Sequence, residues 1–239
     1  MSGATYFISD LHLDAERPHV TRALEGFLTA RRDAEAVYIL GDLFEFWIGD
    51  DDDSAIATDV AQILADFSSA GPSLFLMHGN RDFLLGERFA EETGAVLLDD
   101  PTVTEIGGVR VLLMHGDSLC TRDEEYQAFR ALARSPDWQA SVLAQSLDQR
   151  RAMASQLRAA SKDAGSRKAP DIMDVTESEV DKALAESATN VLIHGHTHRP
   201  NRHATEAGTR WVLGDWDQSG WYIKAEPDNI ELIEFDIIQ

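Results

Sequence analysis

The feature that most constrains this chain is an apolar run, Val37-Tyr38-Ile39-Leu40, that stops abruptly at Gly41-Asp42. The run reads as a buried strand. In an open α/β sheet the crevice outside the carboxyl ends of the strands is where ligands bind. Asp42 is therefore a carboxylate delivered to that crevice by a rigid element. A single Gly-Asp is ordinary turn chemistry. What gives it weight is recurrence.

The same form recurs along the chain. Thr5 to Ser9 is a short apolar strand with Asp10-Leu11-His12 at its end. Residues two apart in an extended segment face the same way, so Asp10 and His12 can reach one point. Pro18 opens a helix with Val20, Leu24, Phe27 and Leu28 on one face. A second helical stripe carries Ile56, Val60, Ile63, Leu64 and Phe67, and a third strand, Ser73 to His78, ends in Gly79-Asn80-Arg81-Asp82. This alternation predicts an α/β sheet.

After Val96-Leu97-Leu98 the pattern changes. Thr102 to Ile106 and Val109 to Met114 flank Gly107-Gly108, a two-residue hairpin turn, and the second arm ends in His115-Gly116-Asp117. Thr176 to Glu179 reads as a capping box opening a helix. Val191 to His194 is the next strand, followed by Gly195-His196-Thr197-His198-Arg199-Pro200. Three more short strands are expected around Trp211-Val212-Leu213, Trp221-Tyr222-Ile223 and Ile230 to Phe235.

Between these halves, residues 121–170 show only helical spacing, with Tyr126, Phe129, Leu132, Trp138, Leu143, Leu147 and Leu157 as the apolar positions. They hold 9 of the 21 Lys and Arg but only 6 of the 42 Asp and Glu. The segment is net +3 in a chain whose formal charge is −21. We read it as an inserted helical cap on a core made of residues 1–120 and 171–239. The overall acidity argues against general nucleic-acid binding, which needs a basic face. A basic island on an acidic protein instead marks one place where an anion is received. Cys120 is the only cysteine, so no intrachain disulfide can form. With no membrane-length apolar run and no signal-peptide pattern at the start, a cytoplasmic location is expected.

The strand ends thus carry Asp10, His12, Asp42, Asn80, His115, His196 and His198. Each alone has a bland explanation, since a lone His is more often hydrogen-bonded structure than ligand. Seven ligand-type residues on motifs of one form are hard to dismiss together. Carboxylate, imidazole and amide donors suit divalent transition metals such as Mn²⁺, Fe²⁺ or Zn²⁺. Seven groups exceed the needs of one open ion and suit two sharing a carboxylate. Two ions roughly 3.5–4 Å apart can clamp an in-line phosphoryl displacement.

Asp10-Leu11-His12, Gly41-Asp42, Gly79-Asn80-Arg81-Asp82, His115-Gly116-Asp117 and Gly195-His196-Thr197-His198 resemble, in order, the signature of the calcineurin-like metallophosphoesterases. The resemblance implies a four-layer αββα sandwich with a dinuclear centre. It implies that Asp10, His12, Asp42 and His198 hold one ion while Asp42, Asn80, His115 and His196 hold the other. His194 alternates in step with His196, but the family pattern leaves it out and gives it a structural role.

The broad family usually has His after the Asn, where this chain has Arg81. A guanidinium cannot act there as general acid but can stabilise developing phosphoryl charge. Together with residues 41–51 and Leu213-Gly214-Asp215-Trp216, this resembles the UDP-2,3-diacylglucosamine pyrophosphatases of lipid A biosynthesis. That resemblance implies Mn²⁺ as the metal, with Asn80, Arg81 and His196 at the reacting phosphate. It implies substrate contacts from Asn80, Arg81, Asp123, Ser161, Gly165, Lys168 and His196. At Gly165, where such proteins often have Asn, only backbone could contribute. The cap offers cations for phosphates, from Arg130, Arg134, Arg150, Arg151, Arg158, Lys162, Arg167 and Lys168, and apolar surface for acyl chains. It is therefore expected to face the anionic inner membrane, in a peripheral monomer. A phosphoesterase for soluble or cyclic nucleotides is the competing expectation.

Overall fold

A computed structural model describes residues 3–238 except 170 and 228, with nothing stated for the side chains of residues 162, 165 and 166. Strand pleat explains the layering. In β1 (Thr5–Ile8), Phe7 and Ile8 point to opposite faces, and in β2 (Ala36–Leu40) Tyr38 and Leu40 oppose Val37 and Ile39. One set enters a core between two sheets. The other meets α1 (Pro18–Thr29), α2 (Ala55–Ser68) and α3 (Glu87–Thr93) on the outside.

The first sheet runs β11-β10-β1-β2-β3-β4, with β3 at Ser73–Met77, β4 at Ala95–Leu98, β10 at Ser219–Glu226 and β11 at Asn229–Asp236. Strands β1 to β4 are parallel, and β10 and β11 add antiparallel. The second sheet runs β5-β6-β7-β9-β8, from β5 (Thr102–Ile106), β6 (Val109–Met114), β7 (Val191–His194), β8 (Asn201–Ala204) and β9 (Thr209–Val212). Val111 and Leu113 of β6 face the first sheet, while Leu112 and Met114 face Val180 and Leu184 of α7 (Glu177–Ser187). Helix, sheet, sheet, helix gives the expected αββα layering.

The α1 stripe buries Val20, Leu24, Phe27 and Leu28, as its period predicts. Gly107 and Gly108 both have positive φ, 56° and 83°, which a type I′ hairpin demands. The capping box does not form: the Thr176 hydroxyl accepts from the Thr121 hydroxyl at 2.8 Å and leaves the helix N-terminus uncapped by a side chain. Helix α3 and strand β8 had no sequence signal.

Residues 124–167 fold as α4 (Glu124–Ala133), α5 (Pro136–Leu143) and α6 (Leu147–Arg167). The basic island is not a free cationic surface. Arg130 donates to Asp117 at 2.8 Å, Arg134 to the Gly79 carbonyl at 2.9 Å, and Arg150 to the Ile48 carbonyl and Asp51 at 2.6 Å each. Arg151 pairs with Asp52 and Asp53. The acidic run Asp50 to Asp53 is the counterpart: Asp51 to Asp53 hold α6, and Asp50 accepts from Gly86 and Phe89 at the start of α3. Four of the arginines expected to meet a membrane are thus engaged with the core.

Candidate metal centre and cavity

All seven candidate ligands stand in loops that leave β1, β2, β3, β6 and β7 at one edge of the two sheets. Among the described residues six non-glycine positions have φ near +50° to +66°, and five of them are Asp10, His12, Asp42, His196 and His198. Each such residue costs of order 1–3 kcal/mol, so the clustering shows that side-chain direction outweighs backbone comfort at this edge. Glycine is required beside them for space. A Cβ on Gly79 would sit 2.0 Å from Asp42 Oδ1, and one on Gly195 would sit 2.2 Å from Asp10 Oδ2.

The donors converge. His12 Nε2 lies 3.3 Å from His198 Nε2, which lies 3.3 Å from Asp10 Oδ1. Asn80 Oδ1 sits 3.0 Å from His115 Nε2 and 2.8 Å from His196 Nδ1. Asp42 reaches both halves: its Oδ2 is 3.8 Å from His12 Nε2 and its Oδ1 is 3.8 Å from His115 Nε2. Two compact triads, Asp10-His12-His198 and Asp10-Asp42-His115, have ligand atoms within 4.8 Å of one another. The carboxylate common to these triads is Asp10, while Asp42 is the group the sequence pattern placed between two ions.

The electrostatics call for cations. Asp10 and Asp42 are 0% and 2% exposed, and among the described residues no Lys or Arg pairs with either. Buried carboxylates without a counterion are strongly unfavourable. Burial lifts Asp42, against the pull of His115 and His12. Burial alone would lower His115, but Asp42 and Asp117 outweigh it and lift that imidazole to about 9. His198 is lifted to about 9 as Asp10 overcomes its burial. Mixed N and O donors around two buried carboxylates, aimed at a common point, suit divalent cations.

Supporting groups surround the ligands. Asp82, fully buried, accepts from the amides of Gly79 and Leu43 at 2.7 Å each and clasps the β2 and β3 loops together. His115 donates Nδ1–H to the Leu40 carbonyl at 2.9 Å. Asp117, also buried, receives the Tyr126 hydroxyl at 2.6 Å, and the Tyr126 ring stacks on His196. His194 points away from the cluster, with Nδ1 donating to the Gly195 carbonyl and Nε2 3.4 Å from Arg210. Asp82, Asp117 and Tyr126 carried no functional assignment in the sequence, because their partners come from other loops.

A cavity of about 500 Å³ opens on this cluster and continues beneath the cap helices. Its lining includes the polar residues His12, Asp42, Asn80, His196 and His198. It also includes Phe46, Phe83, Phe129, Trp138, Met153 and Leu157. Arg81 donates to Ser161 Oγ at 3.4 Å, and its Nε is buried without a hydrogen-bond partner among the described residues. Lys168 Nζ lies 2.7 Å from Asp123 Oδ1. Arg81, Asp123, Ser161 and Lys168 all line the cavity as two pairs, and the side-chain position of Gly165 lies outside the described residues. Trp47 is 5% exposed and packs on Phe44 and Phe89, so it supports the loop, whereas half-buried Phe46 lines the cavity. Burial pushes the Cys120 thiol up to about 12, which makes it inert beside the site.

The calcineurin-like phosphoesterase family model matches residues 4–200. A UDP-2,3-diacylglucosamine hydrolase of Cellvibrio japonicus is 50% identical over 98% of this chain and 99% of its own. One of Chromohalobacter salexigens is 50% identical over 94% of each. An archaeal phosphodiesterase of known structure aligns over 98% of this chain and 99% of its own, with TM-score 0.50 and 15% identity, a likeness of fold alone.

Proposed function

We propose a reaction for a chain that belongs to the calcineurin-like phosphoesterase family and, within it, to the UDP-2,3-diacylglucosamine hydrolases. It hydrolyses the pyrophosphate of UDP-2,3-diacylglucosamine, releasing UMP and 2,3-diacylglucosamine 1-phosphate, a step of lipid A biosynthesis. The observation that carries the reading is that one cavity is lined both by the candidate phosphoesterase ligands and by aromatic and aliphatic side chains. A soluble nucleotide has no use for that apolar lining; two acyl chains do.

In this reading Asp10, His12, Asp42 and His198 hold one Mn²⁺, and Asp42, Asn80, His115 and His196 hold a second. When bound, the ions supply Lewis acidity and lower the pKa of water toward neutrality. The protein's own groups do the rest. Asn80 and His196 flank the phosphorus next to uridine, where water attacks in line. The free Nε–H of Arg81 meets charge developing on the phosphoryl oxygens. Ser161, Lys168 and Asp123, together with the backbone at Gly165, orient the glucosamine and its phosphate. The helices over residues 121–170 form the cap that receives the acyl chains.

No described helix is long and apolar enough to cross a membrane. A monomer that touches the cytoplasmic face of the inner membrane suits a doubly acylated substrate. The exposed Leu132 and Leu143 on α4 and α5, rather than the engaged arginines, are its contact.

The test compares kcat/KM for UDP-2,3-diacylglucosamine and for a water-soluble UDP-sugar. Each buried methylene is worth about 0.8 kcal/mol, so seating even about four gives a preference of about 10²-fold. Equal values would favour the soluble-nucleotide reading. Asp42→Ala should abolish turnover, because both ions lose a ligand.

A further inference from the structure

We propose that Glu45 is a positioning residue that couples His12 to helix α6 through Arg158, so that ion binding and seating of α6 over the cavity reinforce each other. The inference rests on the reading of His12 as a metal ligand.

The carboxylate of Glu45 has one partner on each oxygen. Oε2 lies 3.3 Å from His12 Nδ1, within ion-pair range but not aligned as a hydrogen bond, and that buried ring nitrogen makes no hydrogen bond among the described residues, while His12 Nε2 faces His198 and Asp42. Oε1 accepts from Arg158 Nε at 2.8 Å. The Glu45 backbone is fixed independently, since its amide donates to the Leu13 carbonyl at 3.1 Å beside the Leu13–Phe44 bridge. The carboxylate is thus placed by the loops that carry His12 and Asp42, and its side chain is only 15% exposed. A metal-bound imidazole commonly gives its second N–H to a carboxylate, which fixes the ring and strengthens it as a ligand.

What makes the far end consequential is how α6 is held. Among its described side chains only Arg150 is buried, and its apolar packing comes from partly buried residues such as Met153 and Leu157. It is fastened by cations: Arg150 to Asp51, Arg151 to Asp52 and Asp53, and Arg158 to Glu45 and Asp14. An element with few buried apolar contacts opens at low free energy. The Arg158–Glu45 pair is the one among these fastenings that leads directly to a candidate ligand. Anything that fixes Glu45 favours seated α6, and by reciprocity seated α6 favours the ion at His12. Met153, Leu157 and Ser161 of α6 line the cavity, so the coupling joins metal loading to the shape of the acyl chamber.

The experiment titrates metal-free protein with Mn²⁺ by calorimetry and follows amide exchange of residues 147–167 with and without Mn²⁺. Glu45→Gln should bind about 10–100-fold more weakly. Arg158→Ala, which touches no candidate ligand, should weaken Mn²⁺ about 5-fold or more, and Arg158→Lys should recover most of that loss. Mn²⁺ should slow exchange in α6 of the wild type but not of Glu45→Gln. Circular dichroism identifies any variant that does not fold, and the conservative Arg158→Lys and Glu45→Gln pair then carries the comparison. Wild type that takes up no Mn²⁺ overturns the metal reading and this inference with it. Wild type that binds Mn²⁺ while Glu45→Gln and Arg158→Ala match its affinity overturns the coupling alone. So does an α6 whose exchange ignores Mn²⁺ in the wild type.

Discussion

Arg150, on helix α6, is 3% exposed and clasps both carboxylate oxygens of Asp51, with its Nη1 also donating to the Ile48 carbonyl at 2.6 Å. The pair joins the cap to the loop that follows Asp42. Asp51 is itself 55% exposed, so the fully buried limit does not apply to the pair. Arg150→Met should cost about 1.5–3 kcal/mol, the scale of lost hydrogen bonds to a charged group. Urea denaturation checks this. A change within about 0.5 kcal/mol, the range of ordinary surface substitutions, would mean that α6 is held elsewhere. Reversing charge at Arg130, Arg134, Arg150 and Arg151 would disturb this docking, and so cannot report on membrane contact alone.

Arg81 combines an amide that donates to Asp42 Oδ1 at 2.8 Å with a guanidinium whose Nε has no hydrogen-bond partner among the described residues. The backbone contact survives mutation, so Arg81→Ala removes only the guanidinium. A charge-stabilising role predicts a fall in kcat of about 10²-fold or more with KM little changed. A rise confined to KM would make Arg81 a ground-state anchor. Arg81→Lys should rescue incompletely, because an ammonium cannot reproduce the planar fork.

The convergence of the candidate ligands is legible because each follows a strand that announces itself by apolar run and glycine, and helices such as α1 because a 3.6-residue stripe is local. What escaped depends on distant partners. Helix α3 is only Glu87–Thr93, and its N-terminus is satisfied by the side chain of Asp50. Strand β8, Asn201–Ala204, is a polar sheet edge without alternation. Thr176 has a capping-box sequence, yet Thr121 takes its hydroxyl. Asp82 stood inside a quoted motif, but nothing local says that it will hold the Leu43 amide. The pairing of the cap arginines is hidden for the same reason: charge counts cations and says nothing of their partners.

Leu132 and Leu143 are 52% and 43% exposed on α4 and α5, and the proposed membrane contact rests on them. Burying one leucine is worth about 1.5–3 kcal/mol, so a partial insertion of both allows about 10-fold in vesicle partitioning. The double change Leu132→Glu with Leu143→Glu should lower sedimentation with anionic liposomes by that factor. Turnover of vesicle-borne substrate should fall with it, while turnover in detergent micelles holds. Unchanged liposome binding would move the membrane face elsewhere.

His194 offers a test of the buried layer behind the centre. It is 0% exposed, and burial, reinforced by the charge of Arg210, depresses it from 6.5 to about 3. Between those values the folded protein keeps the ring neutral while the unfolded chain takes up a proton. The contribution is therefore complete above the unfolded value and is lost as pH falls through the window toward the folded one. Its slope is up to about 1.4 kcal/mol per pH unit for one proton. Stability of metal-free protein, from urea denaturation at a series of pH values between about 6 and 4, should fall with pH. His194→Gln, which cannot titrate, should show a slope shallower by up to one proton. Ligand histidines contribute equally to both proteins and cancel in the difference. Parallel profiles would show that His194 is protonated in the fold, with its contacts to Gly195 and Arg210 rearranged.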